Sequence, residues 1–240
     1  MELLPLSTEQ LSKLAASNVP PSQLFEVLSQ YEAEACLIPA EGDSSQTDNS
    51  GLELLSLFYS SFFLTHLLTD QIPEARALTK RMPETLRNKD PSLQNCLTLL
   101  RAVWQTQHDQ VYQILRRLPW PEALQRLVQR YESMDLFLPA IFQSSTDISS
   151  IGFFQDKSLV ALSHSYEAIR PATAAGYLGL DQKAAENGDP NIITKFIGCG
   201  WTWDPETQLL HPKPIAVPSP HNQTTNGIRE AMAMLGNRAG

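Results

Sequence analysis

From residue 52 onward the apolar positions fall into step with an α-helix. Leu54, Leu55, Phe58, Phe62 and Phe63 recur at helical spacing on a broad face, which predicts one dense helix from Leu52 to about Leu68. Pro73 opens a second helix with Ala75, Leu78 and Met82 inward, and Pro83 ends or offsets it. Leu93, Leu97, Leu100 and Trp104 mark the inner stripe of a third. Asp109 is placed to cap a short helix carrying Tyr112, Leu115 and Leu118, broken by Pro119-Trp120-Pro121. Leu124, Leu127, Val128, Tyr131 and Met134 form the one-sided stripe of the next. The region from Leu52 to about Phe142 is therefore expected to be antiparallel helices with brief joints, near the period of helical-repeat arrays though without a repeat consensus. Ahead of it, one weak helix is expected near Thr8 to Ala16 and another after Pro20-Pro21, with Leu24, Phe25, Val27, Leu28 and Tyr31. Residues 40–50 are acidic and polar without an apolar anchor and read as a loop.

After the Ser-rich stretch 143–150 the pattern changes. A helix is expected from about Asp156 to Tyr166, then a short extended stretch, Glu167 to Arg170. Pro171 to Tyr177 reads as a compact small-residue helix, ended at Gly179, and Asp181 can cap a further helix. Asn187-Gly188-Asp189-Pro190 interrupts that helix and Pro190 can restart it, with Ile192, Ile193, Phe196 and Ile197 on an apolar face ended by Gly198 and Gly200. Two short strands follow, Trp201 to Trp203 and Gln208 to His211, joined by a turn at Asp204-Pro205-Glu206-Thr207. Helix, short strand, helix, turn, helix and β-hairpin is the order of a winged helix. Pro212 to Pro220 is expected to be an extended spacer, and a last short helix would put Ile228, Met232 and Leu235 on one side. The fold class is thus mainly α: antiparallel helical repeats, a small α+β winged helix and a C-terminal helix. The expected divisions are 1–51, 52–150, 151–214 and 215–240.

Charge narrows the function. The 240 residues carry a net charge of −8. Up to Asp70 the one basic residue is Lys13, whereas bases dominate from Arg76 to Arg130, a contrast that points to internal or partner complementarity. The overall balance argues against non-specific nucleic-acid binding, and the winged-helix segment from Asp181 to Gly198 sets Lys183 and Lys195 against Asp181, Glu186 and Asp189. No apolar run reaches the ~18 to 20 residues of a membrane span, and Met1 to Pro5 does not read as a secretory signal. Cys36, Cys96 and Cys199 are far apart and lack metal-ligand spacing, so they read as free thiols. The sequon at Asn222 therefore reads as chance, and Ser219-Pro220 is a candidate phosphorylation site.

Catalytic patterns were sought and none is anchored. Among His66, His108, His164, His211 and His221, no two stand at the spacing of a zinc peptidase. Ser163-His164-Ser165 lacks a strained nucleophile turn and reads as ordinary helix. Gly198-Cys199-Gly200 follows a helix rather than a strand and reads as a helix stop. Of the aromatic pair, Trp201 reads as core, while Trp203 can face a partner. The strand at Leu209, Leu210 and His211 is expected to be unpaired on its outer side and able to extend a neighbour's sheet. No cofactor or metal is expected, and the chain reads as a non-catalytic scaffold rather than an enzyme.

The stretch from His66 to Pro83, the block Tyr177-Leu178-Gly179-Leu180, then Gly200-Trp201 and His211-Pro212-Lys213-Pro214 together resemble the family of the eighth subunit of the COP9 signalosome, across about Leu52 to Pro214. Its counterparts sit in the proteasome lid and in translation initiation factor three. The resemblance implies a PCI-type fold whose winged helices associate through sheet edges and whose C-terminal helices gather in a bundle. It implies other signalosome subunits as partners, the third subunit above all, in the cytoplasm and nucleus. The complex removes a ubiquitin-like modifier from cullins through zinc carried by a different subunit. Trp203, Leu209, Leu210, His211, Ile228, Met232 and Leu235 are the expected interface residues. The rivals are a proteasome-lid or initiation-factor counterpart and, in another class, a winged-helix nucleic-acid binder. The loop at 40–50, the N-terminal helices and the stretch Asn187 to Pro190 depart from the family pattern.

Overall fold

The computed structural model describes residues 5–39, 49–132 and 153–215. Residues 40–48 of the loop expected at 40–50, the Ser-rich stretch, the sequon, Ser219 and the tail helix with Ile228, Met232 and Leu235 lie outside the described residues, whereas Asn49 and Ser50, expected in that loop, form the first turn of a helix.

Eight helices form the first unit: α1 (Thr8–Ala16), α2 (Pro21–Ala35), α3 (Asn49–Leu68), α4 (Ile72–Arg81), α5 (Glu84–Lys89), α6 (Pro91–Trp104), α7 (His108–Arg117) and α8 (Glu122–Glu132). Helix α3 is central and packs against α1, α2, α4, α6 and α8. That position explains a departure from expectation: the stretch Ser50–Leu68 is long and apolar enough to cross a membrane by composition, and most of it is buried inside the core. Leu55, Phe58, Phe63 and Leu64 are wholly enclosed. Buried Thr65 on α3 turns to the helix backbone, its hydroxyl donating to the Ser61 carbonyl at 2.7 Å.

The N-terminal helices share this core through Leu11, Ala15, Leu24, Leu28 and Tyr31. Arg130 ties them further by donating to the Val19 carbonyl at 2.9 Å, and Arg81 pairs with Glu32 at 2.8 Å. Part of the acidic-to-basic contrast along the chain is therefore internal. Helix α5 was not foreseen. Pro83 both stops α4 and begins the next turn, and Leu86 anchors the short helix in the core. Asp109 does not cap α7: Gln107 holds that position without a side-chain bond, and Asp109 lies inside the first turn.

The second unit holds α9 (Phe153–Ser165), α10 (Pro171–Tyr177), α11 (Gln182–Glu186), α12 (Pro190–Gly198), β1 (Thr202–Asp204) and β2 (Leu209–His211). The stretch at Asn187 to Pro190 separates α11 from α12, and each helix has its own cap. Asp181 accepts from Lys183 and Ala184 at 2.9 and 3.1 Å, and Asp189 accepts from Asn191 at 2.8 Å. The core here is small: Leu159, Leu162, Ile169, Leu178, Ile192, Phe196, Trp201 and Leu210 close around Ala174, Ala175 and Ala185. Trp201 stacks on Phe196 at 5.3 Å between ring centroids.

Candidate subunit interface

The hairpin pairs Thr202 with His211, Trp203 with Leu210 and Asp204 with Leu209. Asp204 builds the turn, accepting from the Glu206 amide at 2.9 Å and from the Thr207 hydroxyl at 2.7 Å. These bonds hold its carboxyl below the usual carboxylate range. Gln208 completes the reversal in left-handed backbone, φ 55°.

The sheet corrects one expectation. Strand β2 is not the free edge. Leu210 donates to the Ile169 carbonyl at 2.9 Å and accepts from the Ile169 amide at 2.8 Å, so the extended stretch before α10 pairs with β2 on the side away from β1. The cause is the alternation of antiparallel pairing. With both Leu210 backbone groups turned to Ile169, Trp203 and Leu210 form a non-hydrogen-bonded pair, and the Trp203 amide and carbonyl point to the outer side of β1. The exposed edge of this sheet is therefore at Trp203.

The four described candidate residues have different surroundings. Leu210 is wholly buried and belongs to the core. Trp203 is half-buried against that core, leaving part of its ring outside. Leu209 is half-buried, and the His211 ring nitrogen Nδ1 lies 3.2 Å from the Glu167 carbonyl. Trp201, one residue outside β1, is core as expected, and its buried indole nitrogen makes no hydrogen bond among the described residues. Trp203 and Leu209 are thus side chains at the sheet surface, whereas Leu210 holds the sheet to the helices.

Sequence reasoning missed how the two units are joined. Helix α9 packs on α8 and sends Phe154 into the first core, Lys157 pairs with Asp70 at 2.6 Å, and one face of α7 supplies the rest. Tyr112 donates to the Tyr177 carbonyl at 3.4 Å, Arg116 donates to the Gly179 carbonyl at 2.7 Å, and Gln182 donates to Asp109 at 3.1 Å. Glu132 of α8 holds the other side of the Arg116 guanidinium. Gly179 sits at φ +65° over the Tyr112 ring, and a β-carbon there would lie 2.5 Å from it. The glycine was read as a helix stop from its neighbours in sequence. Its closeness to Tyr112, from a helix far earlier in the chain, has no local signal.

His108 and Asp156 also lie at this joint. The His108 ring stands between Phe154 and Tyr177, at 5.3 and 4.9 Å, and burial holds its pKa below the usual histidine range. In the first turn of α9, burial pushes the Asp156 carboxyl up to about 8, and its Oδ1 makes no hydrogen bond among the described residues. The other chemical candidates have ordinary partners. Ser163 donates to the Val160 carbonyl at 2.8 Å, and His164 Nε2 lies 2.9 Å from the Ile215 carbonyl, so the two do not meet as nucleophile and base. Burial raises the Cys199 thiol to about 12. Among the described residues no group of three or more His, Cys, Asp and Glu side chains is placed to hold a metal ion.

Antiparallel helices followed by a winged helix, with the outer side of β1 unpaired among the described residues, form a mainly α, PCI-type fold. The chain belongs to the CSN8/PSMD8/EIF3K family, whose model matches residues 53–136 and 152–222. It is 48% identical over 239 residues to a COP9 signalosome complex subunit 8 from Emericella nidulans, covering 99% of each chain. Subunits of the same description from Danio rerio and Dictyostelium discoideum are 23% and 20% identical, over 75% of this chain and 82% and 79% of theirs.

Proposed function

We propose that this chain is a non-catalytic scaffold subunit of the COP9 signalosome, supporting removal of the ubiquitin-like modifier from cullins by another subunit, in the cytoplasm and nucleus. The observation that carries the reading is the 48% identity to a signalosome subunit 8 along virtually the whole of both chains. A shared fold alone would fit the proteasome-lid and initiation-factor branches of the family equally well.

In this reading the helical unit is a rigid spacer and the winged helix is the joint. The outer edge of β1 takes a strand of the third subunit, with Trp203 and Leu209 covered by it and His211 at the margin. Ile228, Met232 and Leu235 enter a shared helix bundle. The proposed divisions stay at 1–51, 52–150, 151–214 and 215–240. Mass spectrometry of proteins co-purifying with the chain, tagged at its N-terminus, tests the assignment. Recovery of PCI subunits together with the zinc-bearing deneddylase is the expected result. Recovery of proteasome-lid or initiation-factor subunits, or of nucleic acid alone, overturns it. Replacing Met232 and Leu235 by Asp should abolish co-purification while the chain stays folded; an intact complex would remove the tail from the interface.

A further inference from the structure

Trp104 was expected on the inner stripe of its helix. It is instead 53% exposed, the most open of the large aromatic side chains in the described residues. Leu93, Cys96, Leu99, Leu100 and Val103 fill the buried side of α6, so Trp104 falls on the outer face with Arg101 one turn before it. Helix α4 packs beside α6, and its Arg76 guanidinium lies over the Trp104 ring, 5.2 Å from the centroid. Ala77 and Lys80 extend the same exposed face of α4.

The charge of this face is unusual for the chain. The protein has 26 acidic and 18 basic residues. Yet Arg76, Lys80 and Arg101 form no ion pair among the described residues, whereas Arg81, next to Lys80, is paired with Glu32. Glu74 is the acid nearest in sequence on α4. The result is an exposed indole, already flattened under one guanidinium, amid three cations without an ion pair among the described residues. Trp and Arg are the residues that dominate binding energy at protein interfaces, because they offer large contact area with few rotamers and planar donors.

We infer that the α4–α6 face around Trp104 is a docking surface for an acidic segment of a neighbouring protein. Carboxylates of that segment take Arg76, Lys80 and Arg101, and an apolar side chain rests on the indole. Complementarity points to an acidic partner: it neutralises three cations that form no ion pair among the described residues. Nucleic acid is the poorer match, since three cations on a net acidic chain do not track a phosphate backbone. The inference goes beyond the subunit reading and needs only this surface.

The test places photoreactive p-benzoylphenylalanine at Ala77 in the full chain, cross-links in cells and maps the captured peptide. The expected result is a protein adduct on a peptide rich in Asp and Glu. The adduct should fall at least tenfold with Trp104→Ala and with the pair Arg76→Glu and Arg101→Glu, at unchanged thermal midpoint. Should Trp104→Ala fail to fold, Arg101→Gln alone must still lower the adduct severalfold. An absent adduct, a neutral or basic peptide, a nucleic-acid adduct, or an adduct indifferent to these changes overturns the inference. Co-purification from the same cells is scored separately. Signalosome subunits without an adduct sink the surface alone, and an acidic-peptide adduct without those subunits sinks the subunit reading alone.

Discussion

The helical unit and the winged helix end some of their helices with the same device, built from different residues. After α3, the Gln71 amide donates to the His66 carbonyl at 2.8 Å, and after α6, Gln107 donates to Ala102 at 2.9 Å. Leu180 to Ala175, Asp189 to Ala184 and Trp201 to Phe196 repeat that bond after α10, α11 and α12. In each case the residue just before the donor is left-handed: Asp70 and Thr106 in the helical unit, Gly179, Gly188 and Gly200 in the winged helix. The helical unit tolerates side chains in strained backbone because a large core from every helix α1 to α8 holds the joints in place. The winged helix has little core to spend, and uses glycine at every such turn.

The largest test compares the two cores directly. Phe63→Ala and Trp201→Ala should each destabilise by about 3–5 kcal/mol, the usual range for emptying a buried aromatic site. They should do so in different places. Hydrogen exchange of the full chain should show Trp201→Ala opening α10 to β2 while α3 stays protected, and Phe63→Ala opening both units. If Trp201→Ala also exposes α3, the winged helix is part of one cooperative core and the contrast fails.

Gly179→Ala comes next and acts on the joint. Left-handed backbone costs a non-glycine residue about 1–2 kcal/mol, and the new methyl meets the Tyr112 ring. The expected outcome is a single thermal transition resolved into two, with the winged helix melting first. An undivided transition would mean that α7 does not set the coupling. Thr106→Gly should have a smaller effect of opposite sign. Thr106 stands at φ 53° with an exposed β-branched side chain, so glycine should raise the thermal midpoint by relieving about 1 kcal/mol of strain. No gain would show that the Thr106 hydroxyl or its bond to the Gln105 carbonyl offsets the strain.

The same contrast explains what the sequence made legible. Helices with one-sided stripes were readable, because α7 and α8 alternate Val111, Ile114, Leu115 and Leu124, Leu127, Val128 with charges. Helix ends marked by proline and glycine were readable too: α2 starts at Pro21, and α10 spans Pro171–Tyr177 as expected. Position across the fold was not. Trp104 fits a stripe with Leu93, Leu97 and Leu100 by spacing, but the buried side of α6 runs through Leu93, Cys96, Leu99, Leu100 and Val103, which leaves the ring outside under Arg76 of α4. Leu210 looked like an edge because Ile169 is distant in sequence and its bridge is a single residue long.

The last contrast is a pH slope, and it has opposite signs in the two places. In the helical unit, burial lowers the His66 pKa, outweighing the Gln71 bond and the nearby Glu32 and Glu74 carboxylates, while Arg81 adds to the lowering. The folded chain therefore binds this proton less readily than the unfolded chain. Stability is complete above the ordinary value of 6.5 and is lost as pH falls below it. At the joint, the Asp156 carboxyl is raised from 3.8 to about 8, so the folded chain holds that proton more tightly. Its contribution is present below 3.8 and is lost as pH rises towards 8. Each group alone limits the slope to about 1.4 kcal/mol per pH unit. Urea midpoints measured from pH 5 to 9 should show Asp156→Asn more stable than the parent at pH 8 to 9, with the difference shrinking as pH falls. The loss below 6.5 should persist in that variant and weaken in His66→Gln. A uniform offset between Asp156→Asn and the parent at every pH would show that the carboxyl ionises freely in the fold, and that acid and alkali do not act on separate regions.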